Sequence, residues 1–354
     1  MSCFRLEDVR RFVAAGAFTA SVTLPLFGQG TISGRVVVKG TDLPIGYSVV
    51  SLGDRNREQF TDGDGAFAIR NVAAGQVRFI ARHIGYVPFD TILSIGGRDT
   101  VRVRVELSLV PAQLPAVHSL AKACAHPGMR DPRVGLELAT LFEQVKENAE
   151  RNRLLSRSYP FELDVERKIT KPEPMLEARF VAYDTVVRSS ERTWRYAPGK
   201  MLGTRDYADG VFAGRWSTLT MPELADFADE VFLNSHCFDF EGMDVVDGDT
   251  LLRIDFTPAP TIHTPDVSGT IYLDPKTYQL RATLLSLVNF NRQLRGALAG
   301  QAVRADFREA IPGVPVVQRI SSLVFPKEEP KQAATEPSTE THRTLAIRFL
   351  RGRP

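Results

Sequence analysis

The chain has 354 residues, enough for two ordinary domains, and with 43% hydrophobic and 24% charged residues it has a globular rather than a disordered composition. Its 44 basic and 42 acidic residues leave a net charge of +2, which disfavours nucleic acid and anionic membranes as partners. No segment of the mature chain is long and apolar enough to predict a transmembrane helix.

The first 30 residues have the layout of a secretory signal peptide. Three arginines precede an apolar stretch from Phe12 to Phe27, and the small residues Gly28 and Gly30 follow it. Two acidic residues before the apolar stretch are unusual, so an uncleaved anchor or a cytosolic helix is the alternative. We predict that residues 1–30 are a signal peptide and that the mature protein lies in the periplasm, the cell envelope or outside the cell.

Residues 31–110 are predicted to form a seven-stranded antiparallel β-sandwich. Short segments that alternate apolar and polar side chains are separated by Gly and Pro signals, and the clearest alternation runs from Val101 to Leu107. The sequence Asp62-Gly63-Asp64-Gly65 predicts a tight turn, because glycine accepts positive φ and aspartate caps the turn backbone. The alternative, a calcium loop, lacks oxygen ligands where Ala66 and Ala73 stand.

This order of turns and strands resembles the carboxypeptidase regulatory-like domain, a transthyretin-like β-sandwich. The resemblance covers about residues 31–110 and implies the fold, with a role in interaction or spacing rather than catalysis. It is carried by Ser33-Gly34-Arg35-Val36, Leu43-Pro44, Thr61 to Phe67, Val72 with Gly75, and Gly85-Tyr86.

A linker is predicted at residues 111–131, which contain three prolines. Asp131 as N-cap and Pro132 as first helical residue then predict a helix that runs to about Ser156. The remaining chain is mostly alternating strands, with a second helix predicted between Met221 and Phe240.

The predicted fold class is mainly β, with an α+β domain at residues 132–354 that contains a long curved antiparallel sheet and one or two helices. Residues 326–343 are predicted to be a disordered loop. The pattern from Gly269 to Asp274, followed by Leu280-Arg281, resembles the half-barrel of periplasmic lipid-binding proteins such as lipoprotein carriers. That resemblance implies an apolar concave face for an acyl chain.

The cysteines predict one disulfide. Cys3 lies in the leader, so Cys124 and Cys237 remain as a pair in an oxidising compartment. The alternatives are free thiols, or a zinc site that adds His126 and His236. Neighbouring residues of an extended segment point to opposite sides, so His236 and Cys237 suit a single metal poorly and the disulfide is favoured.

An aromatic cluster of Trp194, Tyr196, Phe212 and Trp216 is a candidate ligand face, although ordinary core packing is the more common role of such a cluster at strand spacing. No catalytic residue, metal site or cofactor is predicted, because the G-x-S-x-G and H-E-x-x-H motifs do not occur. The hypothesis is an exported, non-catalytic protein whose sandwich mediates interaction or spacing and whose C-terminal domain binds an envelope protein or an apolar ligand. The alternatives are a periplasmic lipid or lipoprotein carrier and an unrecognised secreted hydrolase.

Overall fold

The computed structural model describes residues 29–53, 57–110, 136–171, 178–188, 194–207, 214–290, 298–326 and 338–350. Residues 1–28 of the predicted signal peptide, the linker and the N-cap Asp131 lie outside this part of the chain and stay predictions. Gln29 and Gly30, the last two residues of the predicted signal peptide, belong to the first strand of the sandwich, where they pair with Ala73 and Val72. The described chain is mainly β, and its two domains have the predicted fold classes.

The N-terminal domain is the predicted seven-stranded sandwich. One sheet has the order β4-β1-β7 and the other the order β3-β2-β5-β6. All pairings are antiparallel except that of β1 with β7, which is parallel and differs in this from the prediction. Fully buried side chains such as Ile32, Val50 and Phe79 fill the core between the sheets. The strands are β1 (Gln29–Val38), β2 (Val49–Leu52), β3 (Glu58–Phe60), β4 (Ala66–Ala73), β5 (Gly75–Arg82), β6 (Phe89–Ile95) and β7 (Thr100–Leu107).

The predicted turn between β3 and β4 is held by Asp62. Its Oδ1 accepts the backbone N–H of Asp64 at 3.0 Å and of Ala66 at 2.8 Å, so this carboxylate serves the turn. Of the two glycines, only Gly65 has positive φ, at 73°. A Cβ on Gly65 would also lie 2.5 Å from the carbonyl oxygen of Val36 on β1.

We expect Gly65→Ala to destabilise the protein by roughly 2 to 4 kcal/mol, because it combines left-handed strain with a clash against a fixed carbonyl. Gly40→Ala is the matched control: its φ is 74°, but nothing lies within 4 Å of the added Cβ. Gly40→Ala should lower the free energy of unfolding only through the strain of its left-handed backbone, by about 1 to 2 kcal/mol. Urea unfolding of both variants measures the difference, and equal losses would show that the close approach to Val36 contributes nothing.

The C-terminal domain contains a nine-stranded sheet of order β12-β13-β14-β15-β16-β17-β18-β8-β9, in which every neighbouring pair is antiparallel. A separate hairpin pairs β10 with β11. The elements are α1 (Leu136–Ser158), β8 (Phe161–Lys171), β9 (Ala178–Arg188), β10 (Leu202–Tyr207), β11 (Gly214–Leu219), α2 (Glu230–Ser235), β12 (His236–Val246), β13 (Asp249–Pro258), β14 (Asp266–Leu273), β15 (Leu280–Val288), β16 (Leu298–Ile311), β17 (Val314–Pro326) and β18 (Ser338–Phe349).

Two predicted elements differ from the structure. The second helix is only the six-residue α2, preceded by a 3₁₀ turn at Asp226–Ala228, because β12 starts at His236 and pairs with β13. Val231, predicted on its apolar face, is 47% exposed. The predicted loop at 326–343 is a strand from Ser338 onward, since its alternating polar residues pair with β17 and β8. Residues 327–337 lie outside the described chain.

Helix α1 packs against both domains. Its predicted apolar face is buried in the C-terminal core, where Phe142 contacts Phe238 with ring centroids 4.4 Å apart. Near its C-terminal end, Leu154 and Leu155 are fully buried in a cluster that includes Val49 of the sandwich. The helix therefore joins the two domains through continuous apolar packing.

A buried cation lies at the centre of this junction. The Arg151 side chain is 0% exposed, and its guanidinium donates to the carbonyl oxygens of Gly313 at 2.6 Å and of Tyr47 at 2.5 Å. It also lies 3.9 Å from the Glu147 carboxylate and 5.5 Å from the Phe60 ring centre. Burial lowers the pKa of Arg151 to about 10, so the group stays charged at neutral pH.

A buried anion lies beside it. The carboxylate of Glu58, on β3 of the sandwich, is 0% exposed and accepts from Arg82 at 2.9 Å, Arg153 at 3.1 Å and Arg157 at 3.3 Å. The last two arginines belong to α1, so this ion cluster joins the two domains. Burying a carboxylate is unfavourable unless cations compensate it, which makes the arginines a requirement of the docked arrangement.

His83 places a titratable group in the same junction, with its Nδ1 2.8 Å from the carbonyl oxygen of Ile84. Burial and, secondarily, the charge of Arg151 lower the pKa of His83 to about 3. Between pH 6.5 and 3 the unfolded chain therefore binds a proton at this residue that the folded chain does not. The stability of the protein decreases as the pH falls through this range, by at most about 1.4 kcal/mol per pH unit from this group.

We expect His83→Gln to flatten the dependence of unfolding free energy on pH between pH 6.5 and 4. His263→Gln, which removes an exposed imidazole between β13 and β14, is the matched control. Urea unfolding at pH 7, 5.5 and 4.5 makes the comparison. If the unfolding free energies of wild type and His83→Gln change equally with pH, His83 is not the group that destabilises the protein at low pH.

Candidate functional site

A cavity of about 480 Å³ lies between the large sheet, helix α1 and the segment 220–227 that covers one side. The sheet contributes side chains from five neighbouring strands, β15, β16, β17, β18 and β8, all on the face that curves around the cavity. The lining residues are Asn152, Arg153, Ser156, Phe161, Leu163, Trp194, Thr220, Met221, Pro222, Glu223, Leu224, Ala225, Phe227, Thr283, Leu285, Gln301, Val303, Ala305, Phe307, Val316, Val317, Ile320, Ser322, Glu340 and His342.

One end of the cavity is apolar. Along β16 the lining side chains are Gln301, Val303, Ala305 and Phe307, so polarity decreases from one end of the strand to the other. Further apolar side chains surround the Phe307 end, including Phe161 from β8. Two α1 polar groups of the cavity wall are already bonded within the protein: Asn152 Nδ2 donates to the Pro315 carbonyl, and Arg153 binds Glu58 and Glu150.

The opposite end of the cavity is polar. Gln301 Nε2 donates to Ser322 Oγ at 3.0 Å, and Ser322 lies beside Glu340 in the pairing of β17 with β18. Glu340 Oε1 accepts from Arg167 Nε at 2.7 Å and lies 2.7 Å from His342 Nε2. The hydrogen bond with His342 has the largest effect on the pKa of Glu340, and the bond with Arg167 acts in the same direction. Together they outweigh the effect of partial burial and lower this pKa, so the Glu340 carboxylate is ionised at neutral pH.

The structure describes the side chains of two of the four predicted ligand-face aromatics, Trp194 and Tyr196. Trp194 lines the cavity and its Nε1 donates to the Lys200 carbonyl at 3.3 Å. Tyr196 is 3% exposed and belongs to the neighbouring core. The Trp216 backbone is part of β11, but its side chain and the whole of Phe212 lie outside the described part of the chain.

Tyr196 belongs to a buried polar cluster. Its hydroxyl donates to Asp266 Oδ2 at 2.7 Å, and His236 Nε2 lies 3.3 Å from Asp266 Oδ1. Burial, reinforced by Asp266, raises the pKa of Tyr196 well above its ordinary value. His236 and Asp266 have no exposed side-chain surface, and the remaining ring nitrogen of His236 lies 2.9 Å from the Phe232 carbonyl oxygen. This cluster connects α2, β12 and β14 to the Trp194 segment.

The same contacts bear on the predicted cysteine chemistry. His236 Nδ1 lies beside the Phe232 carbonyl oxygen, and its Nε2 lies 3.3 Å from Asp266 Oδ1. In the described chain, no group of three or more His, Cys, Asp and Glu side chains is arranged to hold a metal ion. Cys237 is buried in β12, whereas Cys124 lies outside the described residues, so the disulfide stays a prediction.

Sequence reasoning missed Glu340 and His342, which were assigned to a disordered loop. A signal was present: from Thr339 to Arg343 every second residue is a threonine or an arginine, and the intervening Glu340 and His342 face the cavity. Threonine favours strands, and such alternation is typical of them. The preceding stretch is rich in Lys, Glu and Pro, a composition that favours a disordered loop, so the start of β18 is not evident from the sequence.

Comparison with known proteins gives a family for the first domain. Residues 31–108 match the carboxypeptidase regulatory-like domain. This confirms the resemblance predicted for the β-sandwich. Among curated proteins, none matches this chain.

Three solved structures are similar to the chain. A LolA-superfamily protein from Nitrosomonas europaea is 13% identical, with a TM-score of 0.31 over 60% of this chain and 94% of the other. A DUF1329-family protein from Desulfovibrio piger is 12% identical, with a TM-score of 0.32 over 60% and 95%. A Vibrio parahaemolyticus domain provisionally assigned to outer membrane lipoprotein sorting is 9% identical, with a TM-score of 0.32 over 60% and 95%. These similarities transfer no functional residue to this chain.

No helix in the described chain combines the length and the apolar character needed to cross a membrane. Helix α1, the longest of them at 23 residues, carries many charged side chains.

Proposed function

We propose that this protein is an exported, non-catalytic binding protein that holds an apolar or amphiphilic ligand in the cavity of its C-terminal domain. The observation that carries the proposal is the cavity itself. At about 480 Å³ it falls in the range of about 300 to 1,000 Å³ typical of small-molecule sites. Its lining is apolar at one end and polar at the other, which suits a ligand with an apolar body and a polar head.

The architecture favours retention of a ligand over its chemical conversion. A hydrolase would need a nucleophile hydrogen-bonded to a base. Ser322 and His342 both line the cavity, but their described hydrogen bonds run to Gln301 and to Glu340. Among the described hydrogen bonds, none joins the serine hydroxyl to the imidazole.

The β-sandwich serves as an interaction or spacing domain that is fixed to the binding domain. Its docking through Glu58 and α1 presents the two domains as one body to an envelope partner. A carrier that delivers lipid or lipoprotein between partners is the second candidate, because the same cavity would hold an acyl chain during transfer.

The test is ligand retention and uptake by the purified full chain. We expect native mass spectrometry to detect a bound amphiphile that organic extraction removes, and the stripped protein to take up N-phenyl-1-naphthylamine saturably at one site per chain. Absence of both would overturn the proposal. Transfer of the ligand to acceptor vesicles would favour the carrier, whereas ester hydrolysis that Ser322→Ala abolishes would establish an enzyme.

A further inference from the structure

The polar end of the cavity presents hydrogen-bond acceptors. Gln301 uses its side-chain N–H₂ group to donate to Ser322, which leaves its carbonyl oxygen as an acceptor. Both described hydrogen bonds to Glu340 end on the same oxygen, Oε1, one from Arg167 and one from His342. Within the described part of the chain no group donates to the second oxygen, Oε2, and we take it as the acceptor for a ligand.

The positively charged or ionisable groups nearest to Glu340 already interact with its Oε1 oxygen. Arg167 is not among the residues that line the cavity, and its Nε–H is directed at Glu340 Oε1. His342 does line the cavity, but its Nε2 faces the same oxygen. An anionic head group placed here would meet an ionised carboxylate in a partly buried site, where repulsion between like charges is only weakly screened.

We infer that the ligand is a single-chain amphiphile whose head group carries hydrogen-bond donors and no negative charge, with a hydroxyl or amine group donating to Glu340 Oε2. This inference rests on the proposed function of the cavity and adds the chemistry of the head group. The acyl or alkyl chain extends from Glu340 past Val303 and Ala305 toward Phe307, following the decrease in polarity along the sheet. Free fatty acids and other anionic amphiphiles are disfavoured.

The experiment compares two ligands that have the same sixteen-carbon acyl group but different head groups. The stripped full-length protein is loaded with N-phenyl-1-naphthylamine, a neutral probe, and titrated with 1-palmitoylglycerol or with palmitate at pH 8. We expect 1-palmitoylglycerol to displace the probe at a concentration at least roughly tenfold lower, as for a hydrogen bond to a charged group. Hexadecylamine should behave like the glycerol ester, since it also brings donors.

The Glu340→Gln variant keeps the shape of the side chain and removes its charge, so it should bring the two concentrations to within about threefold of each other. Glu143→Gln, on the exposed side of α1, is the control for net charge and should keep the wild-type ratio. Thermal unfolding establishes that both variants are folded. Equal displacement by the two ligands in wild type, or an unchanged ratio in Glu340→Gln, would overturn the head-group assignment while leaving the cavity as a binding site. Failure of every amphiphile to displace the probe would instead overturn the proposed function, and this inference with it.

Discussion

Replacing Arg151 by methionine is expected to lower the free energy of unfolding by about 3 to 5 kcal/mol. The substitution keeps much of the side-chain volume but removes the cation that binds the carbonyl oxygens of Tyr47 and Gly313. Those buried acceptors lose their donor, and Glu147 loses one of its two neighbouring cations. Arg151→Lys should recover only part of the loss, because a single ammonium replaces a planar fork of five N–H groups.

A second arginine of the same helix provides the control. The Arg157 side chain is 31% exposed and contacts Glu58 at 3.3 Å, while Arg82 and Arg153 also bind that carboxylate. Arg157→Met should therefore cost only about 1 kcal/mol. Urea unfolding monitored by tryptophan fluorescence measures both variants. If Arg151→Met is no more destabilised than Arg157→Met, the buried cation does not hold the two domains together.

Filling the cavity is expected to weaken ligand binding by at least about tenfold. Ala305 lies on the cavity face of β16 between Val303 and Phe307, so Ala305→Trp places a large ring where the ligand chain would lie. Exclusion of only two methylene groups, at about 0.8 kcal/mol each, corresponds to such a loss.

Ala302, three residues away on the same strand, is directed to the opposite face of the sheet and supplies the control. Ala302→Trp should bind N-phenyl-1-naphthylamine as the wild type does. Fluorescence titration of both variants, together with their thermal unfolding, separates blocked binding from misfolding. A folded Ala305→Trp protein that binds the probe with unchanged affinity would show that the ligand site lies elsewhere.

Much of the fold was predictable because its signals are local. The alternation from Val101 to Leu107, the turn at Gly65 and the helical spacing of Phe142 and Val145 each depend on a few neighbouring residues. Elements were misjudged where local signals conflicted with tertiary pairing. The second helix is predicted as far as Phe240, but pairing with β13 places the residues from His236 onward in a strand.

The candidate site was less predictable because its contacts join distant parts of the chain. The same holds for the domain junction, where Arg151 binds residues that lie 104 and 162 positions away, and no local spacing pattern predicts such a contact. Of the predicted aromatic face, Trp194 lines the cavity. Strands β15 to β18 contribute a larger part of the cavity wall. Glu340 and Arg167 are 173 positions apart and meet only because β18 lies beside β8.

The double role of helix α1 determines what would happen if the two domains were separated. One helix supplies Ser156 to the cavity wall and, within five residues, Arg151 and Leu155 to the surface that receives the sandwich. Expression of either domain alone would leave Arg151 without one of its two carbonyl partners, Tyr47 or Gly313, and would expose apolar surface around Leu155. The boundary between the two topologies is therefore not a place where the chain can be divided without loss of stability.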